Sequence, residues 1–407
     1  MHRRSFLAAS AGLAAATAAS AATPGDQPRD GVDYRGRPRA EIPTPALLLD
    51  LAAFEANLRT MMEHCKKARC GFRPHAKTHK CPEIARRQVA AGALGVCVAT
   101  VPEAEAMVGA GIRGVLLTSP VLEPGKIARM VALAQKSEVL LAVGHARQVE
   151  LLGAAAQKGG VTVEVLIDVD VGDRRTGVLP EEPALALARL VSKTRSLRLR
   201  GVQAYAGHAS HVVGFARREK VSREAMGRAV STRDLLARAG LKVPILSGGS
   251  TGTYNIDSAV AGVTELQVGS YVFMDVDYRR IGGRKEQAVY SDFRPSLTVL
   301  TTVVSATHAD RVTVDAGTKA LDTTVPWRAE ARGHPGLTYR PAGDEFGVLT
   351  AGKGAKLPRL GDRLEFLVPH CDPTVNLYDR LYALRGGQVE AVWPITARRE
   401  FTRGDRP

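Results

Sequence analysis

VTVEVLIDVDVGDRRTGVLPEEPALALARLVSKTRSLRLRGVQAYAGHASH, residues 161–211, decides the fold. It opens with an apolar, β-branched run (161–169), passes through a glycine-rich turn into a helical run, and ends in a second strand-like run (199–205). Strand, helix, strand within some 45 residues is the βαβ unit, whose two strands must lie parallel. The unit repeats outward in both directions. Candidate strands are GFRPHAK (71–77), GVCVAT (95–100), GVLLTS (114–119), EVLLAV (138–143), VTVEVLIDV, LRGVQAY, VPILSG (243–248) and LQVGSYVF (266–273). All but the last are followed by a helical pattern, with Ala-Gly pairs at 110–111 and 239–240 where helix C-caps belong. Eight repeats predict an α/β fold, a (β/α)8 TIM barrel over residues 44–285. A doubly wound sheet is the alternative on pattern alone.

The pattern changes near Arg279. After Ser291 come strand-like runs separated by Gly, Pro and Asp turns, without a strong helix. A C-terminal β domain over residues 286–400 is expected, and the early strand at 45–51 is a candidate to pair with it. Residues 23–43, polar and rich in Pro and Gly, read as a linker. Residues 1–22 read as a twin-arginine export signal: Arg3 and Arg4, then an alanine-rich stretch, then a small-x-small cleavage site at 19–21. That route carries folded proteins, so the expected location is periplasmic and Cys65, Cys70, Cys81, Cys97 and Cys371 need not pair.

The chain has 407 residues and a net charge of +15, or +13 once Arg3 and Arg4 leave with residues 1–22. A nucleic-acid partner is one reading of such charge. There is no binding motif, aromatics are 5%, and the basic runs at 217–220, 279–285 and 398–406 read as solvated surface. No apolar run reaches membrane-span length.

In a (β/α)8 barrel the site lies at the C-terminal ends of the strands. Lys77 ends the first strand, where a partly apolar surround would lower its pKa and suit it to imine formation. The loop after the seventh strand, SGGSTGTY (247–254), is glycine-rich and opens a helix, so its N–H groups can cradle a phosphate. A lysine and a phosphate cradle on one rim point to pyridoxal 5′-phosphate, an aldehyde with a phosphate handle.

RPHAKTHK (73–80), the Gly-x-x-Arg-Thr-Gly segment at 172–177, QAYxGHxxH (203–211), SGGSTGTY, ELQxGSY (265–271) and HCDPTVNLYD (370–379) together resemble the D-threonine aldolase and D-serine dehydratase-like enzymes. These are fold-type III pyridoxal-phosphate proteins with an alanine racemase-like barrel. The resemblance implies a barrel followed by a β domain, usually dimeric. It makes Lys77 the Schiff-base lysine and Arg175 the arginine near the cofactor's phenolic oxygen. Ser250, Thr251, Gly252 and Thr253 become the phosphate loop, with Tyr271 as an added donor. Tyr205 and His211 become the pair flanking the substrate, with His208 as a further histidine beside them. His370 and Asp372, on one face if extended, become ligands of a divalent ion such as Mn, Mg, Co or Zn. His-x-Asp resembles the aldolase branch, while the dehydratase branch usually shows His-x-Cys.

The implied reaction is retro-aldol cleavage of a β-hydroxy-D-amino acid to glycine and an aldehyde, with His211 as base on the hydroxyl. Dehydration of D-serine or 3-hydroxy-D-aspartate, and racemisation, are the competing outcomes. A non-catalytic cofactor carrier is the reading from another class, and it lacks a use for the β domain and the late His-x-Asp pair.

Overall fold

The computed structural model describes residues 32–398. The export-signal reading (1–22), the start of the linker and the last few residues of the expected β domain lie outside them.

The chain enters through strand β1 (Ala46–Asp50) and helix Leu51–Ala68, which Asp50 caps by accepting from the N–H groups of Ala52 and Ala53. Eight parallel strands follow: β2 (Gly71–Phe72), β3 (Cys97–Val98), β4 (Val115–Leu117), β5 (Val139–Val143), β6 (Val163–Asp168), β7 (Leu197–Ala204), β8 (Ile245–Gly248) and β9 (Glu265–Leu266). Their order is β2-β9-β8-β7-β6-β5-β4-β3, and a parallel bridge from His75 to Cys97 joins the two ends into a closed barrel. Buried Arg73 clamps the closure, with Nε 3.0 Å and one terminal nitrogen 3.1 Å from the two oxygens of Glu265, and further bonds to the carbonyls of Leu94 and Gly114. Losing one partner of so buried a pair costs about 3–5 kcal/mol. Strands covered on both faces read as continuous apolar runs, as in Val139–Val143, which is buried at every position.

The eighth repeat departs from its expected form. Pairing runs on to Val268, whose carbonyl accepts from the His75 amide at 2.8 Å, but the chain then coils into a 3-10 turn at Ser270–Val272. A Cβ at Gly269 would sit 2.6 Å from Thr78 Oγ1, so the backbone approaches the first strand's loop as only glycine allows.

The remaining strands are β10 (Leu297–His308), β11 (Arg311–Val314), β12 (Glu330–Ala331), β13 (Leu337–Pro341), β14 (Gly347–Ala351), β15 (Arg363–Leu367), β16 (Arg380–Arg385) and β17 (Gln388–Pro394). With β1 they form a nine-stranded sheet, in which β1 lies between β10, to which it is antiparallel, and β16, to which it is parallel. Residues 34–43 are not a free linker. Tyr34 and Ile42 are buried, the Gly36 amide donates to the Val389 carbonyl at 2.8 Å, and the Tyr34 ring meets Tyr382 edge-on at 5.4 Å. Polar composition concealed two buried anchors.

The charged run 217–220 is not uniformly solvated either. Arg218 is fully buried in helix Phe215–Arg238. Its Nε donates to the Gly252 carbonyl at 2.8 Å, and its terminal nitrogens donate to the carbonyls of Val212, Ile281 and Gly282 at 2.7–2.9 Å. One guanidinium thus ties three loops at the barrel mouth. The five cysteines are free and buried. Among the described residues no helix is long and apolar enough to cross a membrane.

Candidate active site

A cavity of about 360 Å³ opens at the C-terminal ends of the barrel strands, lined among others by His75, Lys77, Asp168, Arg175, Gln203 and Tyr205. That is within the range of small-molecule sites. Lys77 sits on the 3-10 turn Ala76–Thr78, whose N-cap His75 accepts the Lys77 amide at Nδ1, 3.4 Å away. Lys77 Nζ lies 3.8 Å from Asp372 Oδ2. Burial pushes the amine down, but the charges of Asp372 and Tyr205 outweigh it and hold the group above the ordinary lysine range. The expectation of a lowered pKa is therefore corrected: Asp372, 295 positions later in the chain, was not in view from the strand end. Asp372 is held down to about 2, because Lys77 and His370 overcome the upward push of burial.

His75 also faces the cavity, whereas Arg73 and His79 of RPHAKTHK are structural. His79 is fully buried, bonded to Gln88 at 3.2 Å and to the Cys81 amide at 3.1 Å, and burial drives it down to about 3. Arg175 stacks over the Tyr205 ring at 5.3 Å with its Nε 3.4 Å from Asp173. His208 does not line the cavity. Its backbone N–H donates to Asp173 Oδ1 at 2.9 Å and its ring nitrogen lies 3.6 Å from the same oxygen, so it braces the loop that carries Arg175.

The loop at 250–253 is pre-formed. Thr253 Oγ1 accepts from the Ser250 amide at 3.1 Å, and Thr253 in turn donates to buried Asp257. A Cβ at Gly252 would lie 2.0 Å from the Ser210 carbonyl oxygen, so this position admits glycine alone. Among the described residues, no protein acceptor meets the buried N–H groups of Thr251 and Gly252. Buried amides without a partner call for a ligand, and a phosphate suits them. Tyr271 is placed differently from the expectation. Its hydroxyl accepts from Gln88 at 3.3 Å in the core, and it meets the loop only through its backbone N–H, which donates to Thr251 Oγ1 at 3.0 Å.

Beyond Asp372 stands a wall of imidazoles. His211 and His370 face each other edge-on, ring centres 6.4 Å apart. His370 is extended, but a short helix, Cys371–Val375, starts immediately after it, so the expected extended His-x-Asp geometry does not form and Asp372 lies in a helical first turn. His370 Nδ1 is 2.9 Å from Asp275 Oδ2, and Asp275 also accepts from the amides of Cys371 (2.9 Å) and Tyr278 (2.8 Å). Burial lowers the His370 pKa, and the bond and charge of Asp275 reverse this, taking it up to about 9. Ligand atoms of Asp275, His370 and Cys371 lie within 4.8 Å of one another. That trio is already satisfied internally, and burial keeps the Cys371 thiol protonated. The donors left over are His370 Nε2 and the Asp372 carboxylate. An imidazole whose other nitrogen is held by a carboxylate is the usual form of a metal-binding histidine, so the donor set fits a divalent ion.

Two groups of this wall were missed from the sequence: Asp275, and Asp277, whose Oδ2 lies 2.9 Å from His211 Nδ1. A pair of carboxylates two residues apart just after the last barrel strand was the available signal.

Residues 49–277 match the family model described as alanine racemase, N-terminal domain, and residues 296–384 match the putative serine dehydratase domain. The chain is 42% identical to D-threonine aldolase of Arthrobacter sp. over 364 residues, covering 89% of this chain and 94% of that protein. The chain belongs to the D-threonine aldolase and D-serine dehydratase-like family. A 3-hydroxy-D-aspartate aldolase of Paracoccus denitrificans (strain Pd 1222) is 35% identical over 368 residues, covering 89% of this chain and 94% of that protein. The crystal structure of D-threonine aldolase from Filomicrobium marinum superposes with a TM-score of 0.86 at 38% identity, covering 90% of this chain and 98% of that one. D-threo-3-hydroxyaspartate dehydratase from Delftia sp. HT23 follows at TM-score 0.80 and 28% identity, covering 88% and 98%. The family uses pyridoxal 5′-phosphate on this alanine racemase-like barrel, and the protein is a lyase of that kind.

Proposed function

We propose that this protein cleaves a β-hydroxy-D-amino acid, D-threonine being the test substrate, into glycine and an aldehyde by retro-aldol chemistry. One observation carries the reading. A histidine with a carboxylate behind it (His211, Asp277) faces the His/Asp donor pair (His370, Asp372), and Asp372 in turn lies 3.8 Å from Lys77 Nζ.

Lys77 would hold pyridoxal 5′-phosphate, with its phosphate on the Thr251 and Gly252 amides and Arg175 beside its ring. When bound, the cofactor supplies an electron sink for the bond broken at Cα. His370 Nε2 and Asp372 would hold a divalent ion, whose chemistry there is to acidify a nearby hydroxyl. His211 removes the proton from the Cβ hydroxyl oxygen, for which it needs an unprotonated ring nitrogen facing the substrate. Asp372 keeps Lys77 charged until a ligand displaces that contact, and Asp173 with Tyr205 keeps Arg175 on the cavity wall. The relatives' names support an aldolase over a dehydratase, and His-x-Asp rather than His-x-Cys at 370–372 points the same way.

Carbon–carbon chemistry can be tested in reverse. Holoenzyme supplied with glycine, acetaldehyde and Mn should form a β-hydroxy-α-amino acid of D configuration at Cα. Absence of any condensation product, with 2-oxo acids arising from D-serine, would establish the dehydratase outcome instead. We further infer twin-arginine export and pairing of two chains. Mass spectrometry of the secreted N-terminus and light scattering of the purified protein check these.

A further inference from the structure

We propose that Asp277 is a positioning residue that fixes which nitrogen of His211 carries the proton, and that Trp327 fixes which oxygen of Asp277 faces the ring. The proposal rests on the reading of His211 as the base.

Asp277 lies on the short helix Val276–Arg279, and its place is set by backbone pairing: the Val276 amide donates to the Val368 carbonyl at 3.0 Å and the Asp277 amide to the Pro369 carbonyl at 3.2 Å. The barrel's end is thus locked to the residues that lead into His370. The two oxygens of Asp277 have different partners. Oδ1 accepts from the Trp327 indole N–H at 2.8 Å, and Oδ2 lies 2.9 Å from His211 Nδ1. Trp327 is itself fixed, because Arg280 stacks on its ring at 4.6 Å while bound to Glu330 at 3.0 Å. The His211 ring packs against Tyr278 at a tilt of 38°, centres 4.2 Å apart. Asp277, Tyr278 and His370 thus pack around His211.

A carboxylate only accepts, so the nitrogen beside it must be the protonated one. That leaves Nε2 with its lone pair, the form a base requires. The Nδ1–Oδ2 contact is close but falls short of full hydrogen-bond geometry, as catalytic contacts often do until substrate is held.

Asp277→Asn separates positioning from bulk. An indole only donates, so Trp327 must take the amide oxygen and turn the NH2 group toward His211 Nδ1. The ring proton then moves to Nε2 and the base is lost. kcat should fall by on the order of 10²–10⁴, the usual share of a general base, with KM changed less than about threefold. In D277N/W327F the amide is free to turn its oxygen toward His211, so kcat should recover at least about tenfold over D277N. A merely structural role predicts the opposite, with the double variant worse than either single one.

Imidazole nitrogen spectra of ¹⁵N-histidine-labelled holoenzyme, with His211→Gln used for assignment, should show Nδ1 protonated in the parent and Nε2 protonated in D277N. Identical tautomers in the two proteins, or an undiminished kcat in D277N, would overturn the proposal. Exchange of the glycine α-proton in D2O needs Lys77 and cofactor but no base on a hydroxyl, so D277N should retain it within about twofold. If the parent exchanges glycine yet fails to cleave D-threonine, the aldolase reading falls, and the nitrogen spectra still decide the tautomer.

Discussion

Replacing Gly252 by alanine asks whether the 250–253 loop holds the cofactor. Gly252 needs no unusual backbone angle; what it needs is space. The added Cβ would lie 2.0 Å from the Ser210 carbonyl oxygen and 3.1 Å from Ile281 Cδ1, while real Cβ atoms essentially never approach below 3.0 Å. One of the two loops must retreat by about 1 Å, and close packing leaves no slack to absorb it. The Gly252 side is held by Arg218, bonded to the Gly252 carbonyl at 2.8 Å and to three other carbonyls. Arg218 also grips the Val212 carbonyl beside Ser210, so neither loop can retreat as a body and the strain twists the backbone at 251–252, displacing the amides of Thr251 and Gly252. Losing one amide bond to the charged phosphate costs about 1.5–3 kcal/mol, or about 10- to 150-fold in cofactor affinity. Titrating apoprotein with pyridoxal 5′-phosphate, followed by the visible absorbance of the Lys77 adduct, measures this directly. Gly227→Ala is the control: it lies inside helix Phe215–Arg238 with nothing within 4 Å of its added Cβ, and should gain about 0.5–1 kcal/mol of stability with cofactor binding unchanged. Cofactor affinity within about threefold of the parent in G252A would refute the loop's assignment.

Lys77→Ala should abolish the visible absorbance of the cofactor while the fold persists, as circular dichroism would show; retained absorbance would contradict its role. Asp372→Asn should leave the cofactor bound and lower activity in a way that added Mn does not restore, as turnover measured across a metal titration would show. Metal must replace a proton on His370, whose pKa stands at about 9, so apparent metal affinity should rise about tenfold per pH unit below 9 and level off above it. Burial raises the Asp257 carboxyl to about 6, against the bonds from Ser222 and Thr253 that lower it. The native state then binds this proton more tightly than the unfolded chain, whose carboxyl titrates near 4. Stability should therefore fall as pH rises from about 4 to 6, by on the order of 3 kcal/mol, and be flat above. Urea unfolding across that range should show the slope in the parent and its loss in Asp257→Asn.

Sequence legibility divides along physical lines. The barrel strands could be read because parallel strands covered on both faces are largely apolar, as Val139–Val143 is throughout and Val165–Ile167 is within its strand. Lys77 and the 250–253 loop could be read because strand ends mark the rim of a barrel. Arg218 could not. It stands among charged neighbours in an amphipathic helix, and only its burial beneath three loops reveals its task. The Asp275–His370 and Asp277–His211 contacts join segments 95 and 66 positions apart, distances at which no local periodicity operates. The helical turn at Cys371–Val375 is set by Asp275 accepting the Cys371 amide, so the extended reading of His-x-Asp failed for a tertiary reason. Tyr34 and Ile42 were hidden by the polar residues around them.

The central claim is that the Cα–Cβ bond breaks, and the products of D-threonine turnover test it most directly. Holoenzyme with a divalent metal should convert D-threonine to glycine and acetaldehyde in equal amounts, without ammonia. Accumulation of 2-oxobutyrate and ammonia in place of glycine would contradict the account.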